Sequence, residues 1–337
     1  MFAYSNWSVL TASFVVVLSL ALSGVALCSV LHLVGAKWRY EVRHLATSLY
    51  ALFPLAFVLL VILLVNGSHT FPWWGAHDTH GAHMPGWYLP HWLMTREILG
   101  MVFMMALYWV FIERQKVSDR SSEDAARFHS IATWIPFFFV LYSTMVAWDF
   151  EMTLVPAWHS AIYALQQFVS TFGMFLAFLV IWIYALNSSN ALIQPIKTYI
   201  YNYIAQMLLA FTLLWIYTFF AQYLTIWYGN LPEEMDRVAG MQDGDYTFIW
   251  WAMIVLKFII PFVAFSFPGP RHNVNAITAV AACIIVGTLF ERYVWIGGIN
   301  GTGPYPLVAA IVVGGAVAFV GFILVRMSMH RAQLLKG

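Results

Sequence analysis

The chain has 337 residues, of which 62% are hydrophobic and 9% are charged, and its formal net charge is +1. Soluble domains carry about 25% charged residues, so this composition excludes a soluble globular protein. Apolar runs of about 20 residues predict membrane-spanning helices, and the alternating pattern of a membrane barrel is absent from the sequence. We therefore expect contacts with lipid and none with nucleic acid.

The apolar runs predict an all-α integral membrane fold with nine transmembrane helices. No low-complexity linker divides the chain, so we expect one membrane domain over residues 1–337. Two four-helix bundles with a ninth, peripheral helix would suit this number of spans. The predicted spans are 8–34, 44–66, 95–113, 129–150, 161–187, 199–227, 247–267, 273–295 and 304–326.

The basic residues predict the orientation of the chain. Twelve of the 16 Lys and Arg residues fall on one side of the predicted membrane, two fall on the other, and two lie within spans. Under the positive-inside rule, the N-terminus is outside and the C-terminus is inside. Nine acidic residues lie on the outer side, and this excess favours a face that binds a partner or moves protons.

The two cysteines, Cys28 and Cys283, lie inside apolar runs and belong to no Cys-x-x-Cys pattern. An iron–sulfur cluster usually needs four thiolates, and c-type haem needs its attachment motif. We therefore expect the chain to bind neither group alone and to carry no covalently bound cofactor. The first apolar run has no basic segment before it and no cleavage site after it, so we expect no removable signal peptide.

The end of the sixth span combines an aromatic belt with two carboxylates. The Tyr and Trp residues at 223–228 are types that prefer the headgroup level, and Pro232 stops the helix. Glu233 and Glu234 are then left at the membrane surface. We interpret them as candidates for handling protons beside a lipid-soluble redox molecule; the alternative is an ordinary helix end.

Two stretches carry a resemblance to a known family: Trp-Asp-Phe-Glu-Met-Thr-Leu at 148–154 and Ile-Trp-Tyr-Gly-Asn-Leu-Pro-Glu-Glu at 226–234. Supporting stretches lie at 25–38, 42–45, 52–56 and 271–273. Together they resemble the F-type membrane subunit of bacterial alternative complex III, within the polysulfide-reductase-type (NrfD-like) membrane family. The resemblance covers roughly residues 20–295, and one N-terminal helix of the family has no counterpart in this chain.

The resemblance implies two four-helix bundles, here at about 8–150 and 161–295, with a peripheral helix at about 304–326. It implies membership of a quinol:cytochrome c, or other acceptor, oxidoreductase of the bacterial inner membrane that uses menaquinol or ubiquinol. The implied partners are a second, homologous membrane protein of the complex, periplasmic iron–sulfur and c-type cytochrome subunits that hold the redox groups, and a terminal oxidase. Within the family, that homologous membrane protein is the better candidate for the quinol site. The F-type protein then supports assembly, proton movement or a second pocket.

Asp149 and Glu151 lie at the outer end of the fourth span, and His159 lies just beyond it. Quinol oxidation releases two protons as the electrons leave, so a carboxylate or imidazole near the quinol headgroup would speed the step. A partly desolvated carboxylate has a raised pKa and accepts protons near neutral pH. The alternative is a helix-end cap in an ordinary loop.

Three charged residues lie within the seventh and eighth spans. Lys257 is about 15 Å of helix from either surface, so it should be paired, neutral or in contact with internal water, as in a proton path. Glu291 and Arg292 are costly in a membrane unless paired, and as chain neighbours we expect them not to pair with each other. The expected partners are Asp149 for Arg292, and Arg96 or Lys257 for Glu291; the alternative role is structural.

Histidines suggest two cofactor sites that we disfavour. The outer loop 77–83 has metal-ligand residue types, but its spacing matches no standard zinc pattern, so we expect a protonatable or partner-contact loop and no metal site. His44 and His129 lie near inner helix ends, where they could be the axial ligands of a b-type haem, and the resemblance argues against this.

Three functions remain open on the sequence. The first is a component of a quinol-oxidising complex, with the electron path on partner subunits. The second is an ion- or proton-coupled secondary transporter; Pro261 interrupts the seventh span, but no matching break occurs four spans away. The third is a structural membrane anchor whose polar residues only hold helices together.

Overall fold

The computed structural model describes residues 2–74, 78–79, 82–83, 86–156, 158–242, 244–297 and 307–336. In these ranges, nine helices are long and apolar enough to cross a membrane, so the predicted all-α integral membrane fold is confirmed. Helices satisfy their own backbone hydrogen bonds, which is why a chain of this composition adopts them in lipid.

The helices follow one another with short connections, and 3-10 or π segments join some of them. They are α1 (Phe2–Leu33), α2 (Arg39–Ser48), α3 (Phe53–Val65), α4 (Gly67–Thr70), α5 (Pro90–Val117), α6 (Ser122–Ala147), α7 (Tyr163–Ser188), α8 (Tyr199–Tyr228), α9 (Pro232–Gln242), α10 (Thr247–Ile254), α11 (Ile260–Ser266), α12 (Pro268–His272), α13 (Val274–Gly297) and α14 (Leu307–Arg331). The π segments are Trp148–Met152 and Val255–Ile259, and the 3-10 segments are Leu49–Leu52, Gly86–Tyr88 and Gly244–Tyr246. A small antiparallel hairpin, β1 (Asp78–Thr79) and β2 (Ala82–His83), lies between α4 and α5.

The predicted spans lie at the right places, but several helices extend beyond the predicted ends. The second span begins at Arg39 where 44 was predicted, and the third covers Pro90–Val117 where 95–113 was predicted. Polar residues continue a helix into the headgroup region because long basic side chains reach water from there. Residues 232–242 were predicted as loop, but they form α9. Too few of them are apolar for the sequence to indicate a helix. Pro232 begins the helix without strain, because the first turn of a helix does not use its backbone N–H groups.

The spans form two neighbouring groups. In the first group α1 packs on α2, α3 and α6, and α5 packs on α6; in the second group α7 packs on α8 and α13, and α10 and α11 pack on α13. Helix α1 also contacts α7 and α13, while α14 packs on α1 and on the segment Leu49–Leu52. We call the face at which α1 begins the outer face and the face at which it ends the inner face. The assignment of these faces to the outside and the inside of the membrane is the prediction made from the basic residues.

Close approach of backbones holds α1 in the first group. A Cβ at Gly24 would lie 2.2 Å from the main-chain oxygen of Ala46, so a glycine is needed where α1 meets α2. One turn further along α1, the Ser29 hydroxyl donates a buried hydrogen bond of 2.6 Å to the Ala132 carbonyl of α6. Small residues at helix crossings are the usual means of packing helices in lipid.

Ion pairs on the inner face join α2 to loops that are distant from it in the chain. Arg43 pairs with Asp119 at 3.0 Å, and Lys197 pairs with Glu41 at 2.6 Å. The hydrogen bond to Glu41 raises the pKa of the Lys197 ammonium. Because one partner of each pair is largely exposed, the pairs contribute little to stability, in contrast to the buried charges described below.

We expect Gly24→Ala to destabilise the protein by about 1–3 kcal/mol, because the added methyl group would collide with a main-chain oxygen that cannot move away. Gly173→Ala is the matched control, since its Cβ would lie 3.7 Å from Phe211 Cβ, an ordinary contact. The measurement is the midpoint of thermal unfolding of each variant in detergent. Equal midpoints for the two variants would contradict the close packing of α1 on α2.

Candidate functional site

Four charged side chains lie inside the helix packing and contact one another: Glu151, Lys257, Glu291 and Arg292. None of them is more than 5% exposed. Glu291 lies six residues, or about 9 Å, before the end of α13 at the outer face. We call these four residues the buried network; two acids and two bases make it electrically neutral, the condition under which charges are tolerated in lipid.

The Lys257 ammonium is held by an acid, a hydroxyl and an aromatic ring. It forms an ion pair with Glu291 Oε2 and donates a 2.6 Å hydrogen bond to Ser170 Oγ. It also lies 4.6 Å from the centroid of the Trp215 ring, whose Nε1 donates to Glu291 Oε1 at 2.9 Å. Both Glu291 oxygens therefore accept hydrogen bonds.

Arg292 connects the two acids of the buried network. Its Nη1 pairs with Glu151 Oε2, and its Nη2 lies 3.3 Å from Glu291 Oε2. The Tyr163 hydroxyl donates a 2.7 Å hydrogen bond to the same Glu151 oxygen. Glu291 thus lies between two bases, Lys257 and Arg292, and can exchange one for the other over a short distance.

Both π segments carry residues of the site. Trp148–Met152 contains Asp149 and Glu151, and Val255–Ile259 contains Lys257. A π turn holds an extra residue, which changes the face to which the following side chains point, and such turns are frequent at functional sites. Asp149 and Glu151 are two residues apart and face different neighbours, so one segment serves two clusters of charges.

Helix α13 gives Lys257 the room that it needs. Gly287 lies one turn before Glu291, and a Cβ there would lie 2.6 Å from Lys257 Cγ. The missing side chain lets the aliphatic stem of Lys257 lie against the backbone of α13, with its ammonium directed at Glu291.

Helix α9 covers the outer side of the buried network. Arg237 on α9 donates hydrogen bonds to the Glu151 carbonyl at 3.1 Å and to the Trp295 carbonyl at 3.2 Å. Its guanidinium lies 4.5 Å from the centroid of the Trp158 ring. Beside it, burial raises the pKa of Tyr246 to about 12, and this phenol donates to a main-chain carbonyl at the end of α13.

The buried network borders a small cavity at each of its two ends. The cavity beside Lys257 is lined by Ser170 and Thr212 among apolar side chains. The cavity beside Glu151 has a volume of about 30 Å³, and Gln167, both of whose amide atoms lack a partner among the described residues, is among its lining residues. A polar cavity of this size can hold water, so water can reach the Glu151 end of the network.

A second cluster of charges lies on the other side of the first π segment. Arg96 holds Asp149 with Nε–Oδ2 and Nη2–Oδ1 distances of 2.7 and 2.6 Å, and Trp87 Nε1 donates to Oδ1 at 2.7 Å. Arg96 Nη1 donates to the Trp87 carbonyl at 2.7 Å, and the guanidinium lies 4.0 Å from the centroid of the Trp87 ring. Burial and the charge of Asp149 raise the pKa of nearby Tyr88. We call Trp87, Arg96 and Asp149, together with the neighbouring Glu97, the outer cluster.

The structure places the remaining sequence candidates away from these clusters. His159 is exposed, between the first π segment and α7, and Glu234 is half-buried on α9. The side chain of Glu233, like residues His77 and His80 of the proposed histidine loop, lies outside the described residues. No group of three His, Cys, Asp or Glu side chains that could hold a metal is found in the described part of the chain.

The inner-face histidines considered for haem have other neighbours. His129 Nδ1 lies 3.3 Å from His32 Nε2, and Arg43 Nε donates to His44 Nε2 at 3.2 Å. We therefore place no step of the function at these residues.

Two expectations about ion pairing are wrong, and one is confirmed. Arg292 pairs with Glu151 and not with Asp149, because residues two apart in a helical segment face different sides. Of the two alternatives expected for Glu291, Arg96 pairs instead with Asp149. Glu291 and Arg292 do approach each other, since an arginine side chain is long enough to fold back onto its neighbour. The expected pair of Glu291 with Lys257 is confirmed.

Several contributors to the two clusters were missed from the sequence. Ser170, Tyr163 and Trp215 carry no charge and lie in apolar helices, where nothing in the chain distinguishes them from packing residues. Glu97 and Arg237 did carry a signal. Glu97 is an acid inside a spanning helix, and Arg237 is one of only two basic residues on the predicted outer side.

The arrangement places one carboxylate, Glu291, in contact with two cationic side chains inside the membrane-spanning helices. A carboxylate with two alternative cationic partners can release one of them, and a lysine released into an apolar site gives up its proton readily.

Comparison of the sequence with protein-family profiles finds no match, and a search of curated proteins finds none either.

We expect Lys257→Met alone to destabilise the protein by about 3–5 kcal/mol, because it leaves a buried carboxylate without its main cation. The double variant Lys257→Met/Glu291→Gln should cost clearly less than the sum of the two single variants, since Glu151 and Arg292 remain a matched pair. The measurement is a double-mutant cycle on thermal unfolding in detergent. Additive single effects would show that the two side chains do not interact as an ion pair.

Proposed function

We propose that this chain is a membrane component of a quinol:electron-acceptor oxidoreductase of the alternative complex III type, in a bacterial inner membrane. Its own part is to move protons in the outer half of the membrane while partner subunits carry electrons. The observation that carries the proposal is the buried network of Glu151, Lys257, Glu291 and Arg292, which is fully enclosed and borders a cavity at each end.

The chemistry of quinol requires separate paths for protons and electrons. Oxidation of one quinol to quinone releases two electrons and two protons. The sequence offers two cysteines and no haem-attachment motif, so the electrons need carriers on other chains. The partners in this proposal are a homologous membrane protein, iron–sulfur and c-type cytochrome subunits, and a terminal oxidase as the final acceptor.

Proton transfer through the buried network follows from its alternative ion pairs. When Glu291 pairs with Lys257, the lysine is held in its charged form. When Glu291 turns to Arg292, 3.3 Å away, Lys257 loses its counter-ion and can release a proton to water in the adjoining cavity. When Glu291 turns back and a proton returns to Lys257 from that water, the network is again in its first state.

An ion- or proton-coupled transporter is the second candidate. It is favoured by the π segment that interrupts the seventh span at Lys257, because transporters often build their sites from interrupted helices. The two functions predict different partners and different activities. The first requires redox subunits and quinol oxidation that depends on the buried network, and the second requires ion-coupled uptake that depends on it.

The decisive variant is Lys257→Met/Glu291→Gln, which removes the proton-carrying pair and keeps the remaining charges balanced. We expect it to assemble with its partners and to lower quinol-dependent reduction of cytochrome c by about 100-fold, the lower part of the range for losing a proton-transfer group. The measurements are the acceptor reduction rate and the set of subunits retained after extraction in a mild detergent, both on the intact complex.

The matched control is Arg43→Gln/Asp119→Asn, which neutralises an exposed ion pair on the inner face and should leave the rate unchanged. Normal activity in the Lys257→Met/Glu291→Gln variant would contradict a proton path here and favour a structural anchor. A chain that purifies without haem or iron–sulfur subunits, and whose reconstituted vesicles show ion-coupled uptake, would instead favour a transporter.

A further inference from the structure

Glu97 in the outer cluster is a buried acid that the proposed proton path does not use. It lies on α5 beside Arg96 and is 0% exposed. The hydrogen bonds that Arg96 makes go to Asp149 and to the Trp87 carbonyl, which leaves Glu97 without the ion pair that a buried carboxylate needs. Its Oε2 accepts a long hydrogen bond of 3.5 Å from Tyr142, and its Oε1 receives none from the described residues.

Glu97 follows Arg96 directly on α5, and Arg96 gives its side-chain hydrogen bonds to Asp149 and to a main-chain carbonyl, so one base serves two buried acids. Two ionised carboxylates that share one base in a desolvated place would leave a negative charge unmatched, so one of them needs a proton. Asp149 already accepts three hydrogen bonds, two of them from a guanidinium, and these favour its charged form. The proton therefore belongs on Glu97.

Charge counting leads to the same assignment. With Arg96 charged and both acids ionised, the outer cluster would hold one uncompensated negative charge in a desolvated place. One proton makes it neutral. The buried network differs, because its two acids and two bases already balance in charge and it needs no additional proton.

We propose that Glu97 and Asp149 form a proton-binding site in which Glu97 carries one exchangeable proton and Asp149 stays ionised against Arg96. The groups that face this site are the Arg96 guanidinium, the Tyr142 hydroxyl, the Trp87 indole and the Tyr88 phenol. A role for this site in receiving protons from quinol rests on the proposed function; the presence of the proton does not.

Infrared spectroscopy tests the site directly. The full-length protein, purified with any subunits that accompany it, should show the carbonyl stretch of a protonated carboxylic acid at neutral pH, and the band should shift in heavy water. Glu97→Gln should remove this band and Glu97→Asp should move it. Because glutamine resembles a protonated glutamate in shape and charge, Glu97→Gln should also keep its thermal stability.

Asp149→Asn tests whether Asp149 keeps the proton on Glu97, because this variant leaves Glu97 itself in place. Arg96 would then need a new anion, so Glu97 should ionise and the same band should disappear. The Lys257→Met/Glu291→Gln variant is the matched control and should keep the band, since the residues of the buried network are ionised and paired.

A band that survives in Glu97→Gln would overturn the proposal, as would a wild-type protein with no such band. Survival of the band in Asp149→Asn would overturn the part in which Asp149 and Arg96 keep the proton on Glu97. The pH profile of quinol oxidation in Glu97→Gln is measured separately, and we expect it to shift. An unchanged profile with the infrared result intact would reject only the link to quinol chemistry.

Discussion

The ion pairs of Glu291 with Lys257 and Arg292 are the interaction on which the outer half of the structure depends. A charge in lipid is costly, so each of these side chains must meet its partner at a fixed depth and a fixed rotation of its helix. The π segment at Lys257, the missing side chain at Gly287 and the close approach of α13 to α7 all serve that requirement. The cost of leaving one charge unmatched makes this arrangement far more specific than apolar packing alone.

The two charged clusters share a π segment but differ in their balance of charge. The buried network matches acids and bases, so it holds no additional proton while its ion pairs are intact. The outer cluster has one more acid than it has bases, so it can store a proton. A path that carries protons away from a redox reaction needs both properties, one to transfer and one to hold, which is why we treat the clusters as parts of one proposed function.

Helix α9 links this chemistry to the outer surface. Its Arg237 holds main-chain carbonyls of the first π segment and of α13, so the surface helix and the buried charges are mechanically connected. A partner that binds at the outer face, such as the electron-carrying subunits in our proposal, would contact the element that covers the network. Docking of a partner and access to the charges can thus influence each other through one side chain.

Hydropathy read along the chain was enough to establish the class of the protein, the position of its spans and the presence of charges that had to be paired. Hydrophobicity is a local property, and lipid allows few backbone solutions, so these features need no information about packing. Which acid meets which base was visible only in the folded chain. Asp149 and Glu151 face different helices, and the uncharged side chains of Ser170, Tyr163 and Trp215 complete the hydrogen bonds of the network. Such choices depend on the rotation of helices about their axes and on contacts between residues distant in the chain, which a single sequence does not encode in any local pattern.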